Sequence, residues 1–408
     1  MGAMCLNGKH ILVGISGGIA AYKIPDLIRR YKKSGADVRV VATANALRFV
    51  TPLTLETVSC NPLYSDVFDN REPRTTAHVS LAQWADIFVV APATANVIGK
   101  FAAGIGDDAL TTQMLAFGGP RLIVPAMNEA MWHNPIVQAN IRTLQDIGGM
   151  EVMMPATGEL ACGVSGEGRM PEPEDILTAT QDLLTPQSLE YQSILITAGP
   201  TVENIDPVRF ISNHSTGKMA YALADECRAR GASVTVISGP VSVKAKHSDI
   251  EIIGVTTAQQ MYEAALTCHA KNYFDGVILC AAVADYRPKT TSGSKIKRHE
   301  QNISLDLEPT KDIAAALGKV KRQPDEWMLG FALETNDEQV NALKKMDSKN
   351  LDFIVLNSLR DEGAGFGCDT NKVTIFTRGK KEGKELELMS KAQVAKAIVD
   401  HIVEHKNK

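Results

Sequence analysis

Short apolar runs that alternate with stretches of helical periodicity leave this chain few folds to choose from, because each run must pair in a sheet and each amphipathic helix must cover one. In the first half the runs are residues 10–15, 37–42, 86–91 and 121–124, with helical segments at 20–33 and 109–117. The grammar restarts further on. Strand candidates lie at 193–197, 233–238, 276–280, 327–331, 353–356 and 372–377, interleaved with helical segments at 217–230, 258–270 and 336–347. Between the two sets, Thr185-Pro186-Gln187-Ser188 concentrates turn and breaker residues, which places a domain boundary there and gives domains 1–186 and 187–408. The expected fold is α/β, with two doubly wound Rossmann-like domains. Both halves open with a strand, a Gly-rich turn, a helix ending Lys-Ser-Gly-Ala-Asp or Ala-Arg-Gly-Ala-Ser, and a second strand; this echo is common among unrelated sheets.

A length of 408 residues suits two or three domains with cores of their own. The net charge of -4 leaves no basic stripe for a phosphate backbone, which argues against a nucleic-acid partner. The seven cysteines (5, 60, 162, 227, 268, 280 and 368) are odd in number and lack the close spacing of a zinc or redox motif, so free thiols in a reducing compartment are expected. No apolar run approaches the roughly 20 residues of a membrane span and no signal-peptide pattern is present, so the expected location is cytoplasmic. Met1-Gly2-Ala3, ahead of Met4, reads as lying outside the fold. The polar loop 288–300 has few apolar anchors and is the best candidate for a mobile segment.

Sites in open α/β sheets gather at the carboxyl ends of strands. Pro125-Ala126-Met127-Asn128-Glu129-Ala130-Met131-Trp132 follows the run 121–124; its Asn can orient a carboxylate through amide N–H donors, or can cap the next helix. Pro92-Ala93-Thr94-Ala95-Asn96 follows the run 86–91. Gly14-Ile15-Ser16-Gly17-Gly18-Ile19-Ala20 joins a strand to a helix where N–H groups can hold a phosphate, although it is not a GxGxxG motif and tight packing explains it equally. Leu160-Ala161-Cys162-Gly163 precedes Gly168-Arg169-Met170, and the glycines at 163, 166 and 168 suit a closing flap. Taken alone, His78 is a near-neutral base or a surface residue, and Cys162 is a reactive or a buried thiol. The absence of GxxxxGK[ST] excludes a P-loop.

The segments around Thr94, Asn128 and Cys162, in this order, resemble the flavin-containing cysteine decarboxylases, specifically the phosphopantothenoylcysteine decarboxylases, over nearly all of residues 7–185. A second block, Ile196-Thr197-Ala198-Gly199-Pro200-Thr201 with Asp206-Pro207-Val208-Arg209-Phe210-Ile211-Ser212-Asn213-His214-Ser215-Thr216-Gly217-Lys218-Met219, resembles the bacterial phosphopantothenate–cysteine ligases. Together they resemble the fused bifunctional enzymes of coenzyme A biosynthesis. For domain 1–186 the resemblance implies FMN held by Gly18, Ile19, Ala20, Thr43, Thr94, Ala95, Asn96 and Ala126. It also implies His78 as the active-site His, Asn128 on the substrate carboxylate, Cys162 as proton donor, and Ala161 and Met170 against substrate. The flavin serves as the electron sink that decarboxylation of an N-acylated cysteine needs. Some relatives carry Arg shortly before the flap cysteine, where this chain has Glu159 and Leu160.

For domain 187–408 the resemblance implies activation of 4′-phosphopantothenate by CTP, then attack by cysteine. Lys295 matches the phosphate-contacting lysine, Asn213 the asparagine that turns the acyl-nucleotide into amide, and Arg209 a substrate contact. Leu279, Cys280, Ala281, Asp285, Lys311, Asp312, Ile313, Ala314, Phe331, Lys345 and Lys349 match nucleotide contacts, with Asp285 also placed on the divalent cation, Mg²⁺. Thr310-Lys311-Asp312-Ile313 stands where some members have Asn-Pro-Asp-Ile. Trimeric decarboxylase halves joined through dimeric ligase halves imply a homo-oligomer that reaches a dodecamer. Two other classes compete: a flavin-binding regulatory subunit without turnover, which the joint presence of His78, Asn128 and Cys162 disfavours, and a nicotinamide-dependent dehydrogenase, whose fingerprint is missing.

Overall fold

The computed structural model describes residues 6–68, 77–159, 165–297, 304–322, 324–334, 337–358, 367–380 and 382–406. The chain divides into two compact units, Met1–Pro186 and Gln187–Lys408.

In the first unit β1 (His10–Ile15), β2 (Asp37–Ala42), β3 (Leu63–Tyr64), β4 (Ile87–Ala93), β5 (Arg121–Pro125) and β6 (Met150–Val152) form a parallel sheet in the order β3-β2-β1-β4-β5-β6. The order reverses between β1 and β4, so the chains leaving these strands run to opposite faces and open a crevice at their carboxyl ends. The strands are apolar without alternation because both faces are covered: Ile11, Val13 and Ile15 pack into one core and Leu12 into the other. Helix Ile24–Lys33 buries Leu27 and Ile28 in the first core, each contributing about 1.5–3 kcal/mol. The sequence reads one helix over residues 20–33; a 3₁₀ turn, Ile19–Lys23, precedes the α-helix instead. The reason is Pro25, which has no N–H to donate and whose ring excludes the carbonyl four residues back, so the helix begins around it. A hairpin of β7 (Ala156–Glu159) and β8 (Ser165–Arg169) follows the sheet.

The second unit is built on β9 (Ser193–Ala198). After it come a short ribbon, β10 (Val202–Asn204) with β11 (Phe210–Ser212), and then β12 (Ser233–Ser238), β13 (Glu251–Gly254) and β14 (Gly276–Leu279). A second ribbon pairs β15 (Tyr286–Pro288) with β16 (Leu307–Pro309), ahead of β17 (Trp327–Glu334) and β18 (Phe353–Ser358). The remaining strands are β19 (Thr370–Asn371), β20 (Val373–Thr377), β21 (Lys384–Glu385) and β22 (Met389–Ser390). The main sheet runs β13-β12-β9-β14-β17-β18-β20-β21, parallel as far as β18 and antiparallel beyond it. A terminal helix, Lys391–His405, starts at a capping box of Ser390 and Gln393 and packs on helix Lys218–Ala229. Of loop 288–300, residues 298–300 lie outside the described residues; within the rest, Ser292 N–H donates to Ile205 O at 3.0 Å and Ile296 N–H to Asp206 Oδ2 at 3.1 Å. Among the described residues no helix is long and apolar enough to cross a membrane.

Candidate active sites

Ser16 ties together the two turns of the first unit's crevice. Its hydroxyl is buried, donates to Pro92 O at 2.7 Å and accepts the Thr94 N–H at 3.0 Å. Gly18, Ile19 and Ala20 therefore lie beside Thr94, Ala95 and Asn96, and a Cβ at Gly18 would stand 3.4 Å from Thr94 Cγ2. Thr43 joins the same edge through its N–H to Ile15 O at 3.0 Å, and Ala126 through its N–H to Ala93 O at 3.0 Å. The residues assigned to the cofactor thus come from the carboxyl ends of β1, β2, β4 and β5 and share one sheet edge. Two helices start there, at Ile19 and Ala95.

Asn128 is the N-cap of the short helix Glu129–Trp132, its Oδ1 accepting the Ala130 N–H at 2.9 Å. The capping bond fixes the planar amide by its oxygen and so sets the direction of its nitrogen. Strand β8 is pressed against this turn: Met127 N–H donates to Gly168 O at 2.9 Å. Gly168 has φ +130°, and a Cβ there would lie 2.3 Å from Met127 O, so only glycine allows the approach. The segment with Ala161 and Cys162, together with Leu160 and the Glu159 side chain, lies outside the described residues, but the strand that follows it is seated against Asn128. Met170 is 1% exposed and belongs to the core with Ile11, Val124 and Ile176, which leaves its side chain little surface to offer a ligand. His78 sits in the first turn of helix Ala77–Trp84, and its Nδ1 is buried without a hydrogen-bond partner among the described residues.

In the second unit the carboxyl ends of β9, β12 and β14 meet. A Cβ at Gly239 would stand 1.8 Å from Pro200 O, so these turns approach at backbone contact. Ala282 N–H donates to Gly199 O at 2.9 Å and Ala284 N–H to Thr201 Oγ1 at 2.9 Å. Asn213 is exposed, and its Nδ2 donates to Ala282 O at 3.0 Å and Val283 O at 3.2 Å. Oδ1 has no partner among the described residues and is the end of this amide left for a ligand. Asp285 is exposed one turn further on, its carbonyl accepting the Thr310 N–H at 2.9 Å.

Asp206 organises the loop that carries Lys295. Its carboxylate has no solvent exposure. It accepts the Val208 and Arg209 N–H groups at 2.8 Å each, the Arg209 guanidinium at 2.6 and 3.0 Å, and the Ile296 N–H at 3.1 Å. Burial pushes this carboxyl up, but the N–H of Val208, the Arg209 guanidinium and the N–H of Ile296 outweigh it and hold the group well below the usual carboxylate range. Arg209 Nη2 also donates to Ile296 O at 2.6 Å, so this arginine is a fastener, and its Nη1 has no partner among the described residues. A depressed folded value stabilises the fold above the unfolded value of about 3.9, and that stability is lost as pH falls through the folded value. Asp206→Asn is therefore expected to lower the second unit's urea midpoint at neutral pH, with the gap to wild type closing below about pH 4.

The remaining nucleotide candidates sit around β17 and the helix Ile313–Val320. Lys345 Nζ donates to Phe331 O at 2.9 Å, and Lys349 pairs with Asp312 at 3.0 Å. Asp312 also caps its helix, accepting the Ala315 N–H at 2.9 Å; burial raises its pKa, while this bond and Lys349 lower it further. Lys311 Nζ lies 4.9 Å over the Tyr262 ring and lines a pocket of ≈ 270 Å³ with Gln259, Arg287, Glu308 and Thr310. Ile313 and Leu279 are buried in the core, so Leu279 can offer a ligand only its backbone; Ala281 N–H donates to Thr197 Oγ1 at 3.3 Å, and Ala314 packs at the core's edge. Burial pushes the Cys280 thiol up to about 12 despite the nearby Lys391 charge, which favours the protonated thiol.

Residues 3–185 match the Flavoprotein family and residues 189–405 the DNA/pantothenate metabolism flavoprotein C-terminal domain. The chain is 45% identical over 401 residues to the coenzyme A biosynthesis bifunctional protein CoaBC of Bacillus subtilis (strain 168), covering 97% of each chain. The chain belongs to the coenzyme A biosynthesis bifunctional protein family. It is also 46% identical, over 87% of this chain and 99% of the relative, to a cysteine/cysteine sulfinic acid decarboxylase of an unknown prokaryotic organism. Among solved structures, the C-terminal domain of a coenzyme A biosynthesis bifunctional protein CoaBC shares 39% identity, with a TM-score of 0.44, over 53% of this chain and 97% of that one. In this member of the bifunctional family, sequence reasoning missed Ser16, Asp206 and Gly239. Asp206-Pro207 carried a usable signal, since Asp before Pro starts a turn in which the carboxylate accepts backbone N–H groups.

Proposed function

We propose that the first unit is an FMN-dependent phosphopantothenoylcysteine decarboxylase and the second a CTP-dependent phosphopantothenate–cysteine ligase. The observation that carries this is the seating of strand β8, through Gly168, on the turn of Met127 and Asn128, at the edge where the Ser16-tied crevice opens. The crevice suits FMN. The helix starts at Ile19 and Ala95 favour a phosphate, the missing Cβ at Gly18 keeps the cleft open, and exposed Ile19 offers an apolar contact to a ring. Bound FMN supplies the electron sink that the departing carboxylate requires. Asn128 orients that carboxylate, His78 works as a base near it, and Cys162 returns a proton from the flap.

In the second unit Lys295 offsets charge on the transferring phosphate, Asp285 offers one carboxylate to a hydrated Mg²⁺, and Asn213 Oδ1 aligns the attacking cysteine amine. The substrates are 4′-phosphopantothenate, cysteine and CTP, the location is cytoplasmic, and the assembly is a trimer-based homo-oligomer reaching a dodecamer. Exposed Ile19 and Tyr22 beside the crevice support an interface there. The test is direct: the purified chain carries one FMN per chain, seen as oxidised-flavin absorbance that dithionite bleaches. A colourless chain that takes up no FMN overturns the assignment of the first unit.

A further inference from the structure

Helix Lys391–His405 ends in a cluster that neither proposed active site uses. His401, Glu404 and His405 stand at spacings of three and four residues, which places them on one helix face. One possible ligand atom from each lies within 4.8 Å of the others. The two imidazoles stack with ring centroids 4.2 Å apart, so the partly exposed His405 ring must turn out of the stack for both rings to face one ion.

Hydrogen bonding leaves both rings able to ligate. His405 Nδ1 lies 2.9 Å from His401 O; a carbonyl only accepts, so Nδ1 carries the proton and Nε2 keeps its lone pair. His401 is 6% exposed, its Nε2 lies 2.7 Å from Thr377 Oγ1, and its Nδ1 is buried without a partner among the described residues. When Nε2–H donates to the threonine hydroxyl, Nδ1 is the free lone pair. A backbone carbonyl on one ring and a hydroxyl on the other are the outer contacts by which proteins fix the tautomer of metal-binding histidines. The cluster opens on a cavity of ≈ 630 Å³ that Thr377, Lys380, Glu382, Gly383 and Lys384 also line.

We propose that His401, Glu404 and His405 form a Zn²⁺ site at the end of the terminal helix. Two imidazole nitrogens and one carboxylate suit zinc, whereas magnesium and calcium prefer oxygen donors throughout. Glu382 lines the same cavity and offers a fourth ligand, and together with Glu404 it balances the charges of Lys380 and Lys384. Binding there ties the helix end to the sheet edge at β20 and β21.

The experiment uses the full chain in excess Mg²⁺, titrated with Zn²⁺ against a chromophoric chelator. Wild type is expected to bind one equivalent that His405→Asn and Glu404→Gln each weaken by about ten-fold or more. Both substitutions fall on partly or fully exposed side chains and leave the buried His401 in place. Substitution with Co²⁺ is expected to give d–d bands without thiolate charge transfer, which distinguishes this site from the cysteines. Equal zinc affinity in wild type and both variants, thiolate charge transfer, or no bound equivalent overturns the proposal.

Discussion

Asn213→Ala is expected to leave the acyl-cytidylate standing while amide formation falls by roughly 10²–10³-fold, the scale of losing one polar group aimed at a reacting centre. Asn213 Nδ2 is held by Ala282 O at 3.0 Å and Val283 O at 3.2 Å, so Oδ1 is fixed without help from the substrate. Removing it spares activation, which depends on charge near the phosphates. Alanine is a cleaner probe than aspartate, which would set a carboxylate against those two carbonyls. Lys295→Gln is expected to fail earlier, with no intermediate formed, because the charge on the transferring phosphate is no longer offset. Mass spectrometry of quenched reactions separates the two. The same intermediate in both variants, or in neither, would show that this division of labour is wrong.

Asn128→Asp is expected to cut decarboxylation by about a thousand-fold with little change in thermal stability. Aspartate caps a helix as well as asparagine does, so the bond from the Ala130 N–H survives. What changes is the other end of the group: an amide donor becomes a second anion facing the substrate carboxylate. Each unpaired like charge at close range costs several kcal/mol, and about 1.4 kcal/mol is a factor of ten in rate. Steady-state carbon dioxide release and a melting curve on one preparation decide the matter. A variant that caps normally and turns over normally would reduce Asn128 to a structural residue.

The inner strands of both sheets were legible because burial on two faces leaves continuous apolar runs, as in β1, β4, β9 and β14, whereas the short edge strands β3, β6, β13 and β21 were not read from the sequence. The direction of β20 was not, since hydrophobic pattern carries no information on whether a strand re-enters a sheet parallel or antiparallel. Helix Lys391–His405 was missed although Ser390 and Gln393 spell its capping box. At the candidate sites, Asn213 and Asp285 were placed at strand ends by their neighbours in sequence. The role of Asp206 depends on Ile296, far away in the chain, and only folding brings the pair together. Met170 went the other way: methionine serves cores and ligand walls alike, so residue type could not show that it is buried.

If one chain makes an amide and then removes its carboxylate, the full-length protein supplied with 4′-phosphopantothenate, cysteine, CTP and Mg²⁺ must carry out both steps in turn. Pyrophosphate, carbon dioxide and 4′-phosphopantetheine are expected in equal amounts, with no carbon dioxide when CTP is withheld. Cysteine decarboxylated to cysteamine without CTP or 4′-phosphopantothenate would contradict it.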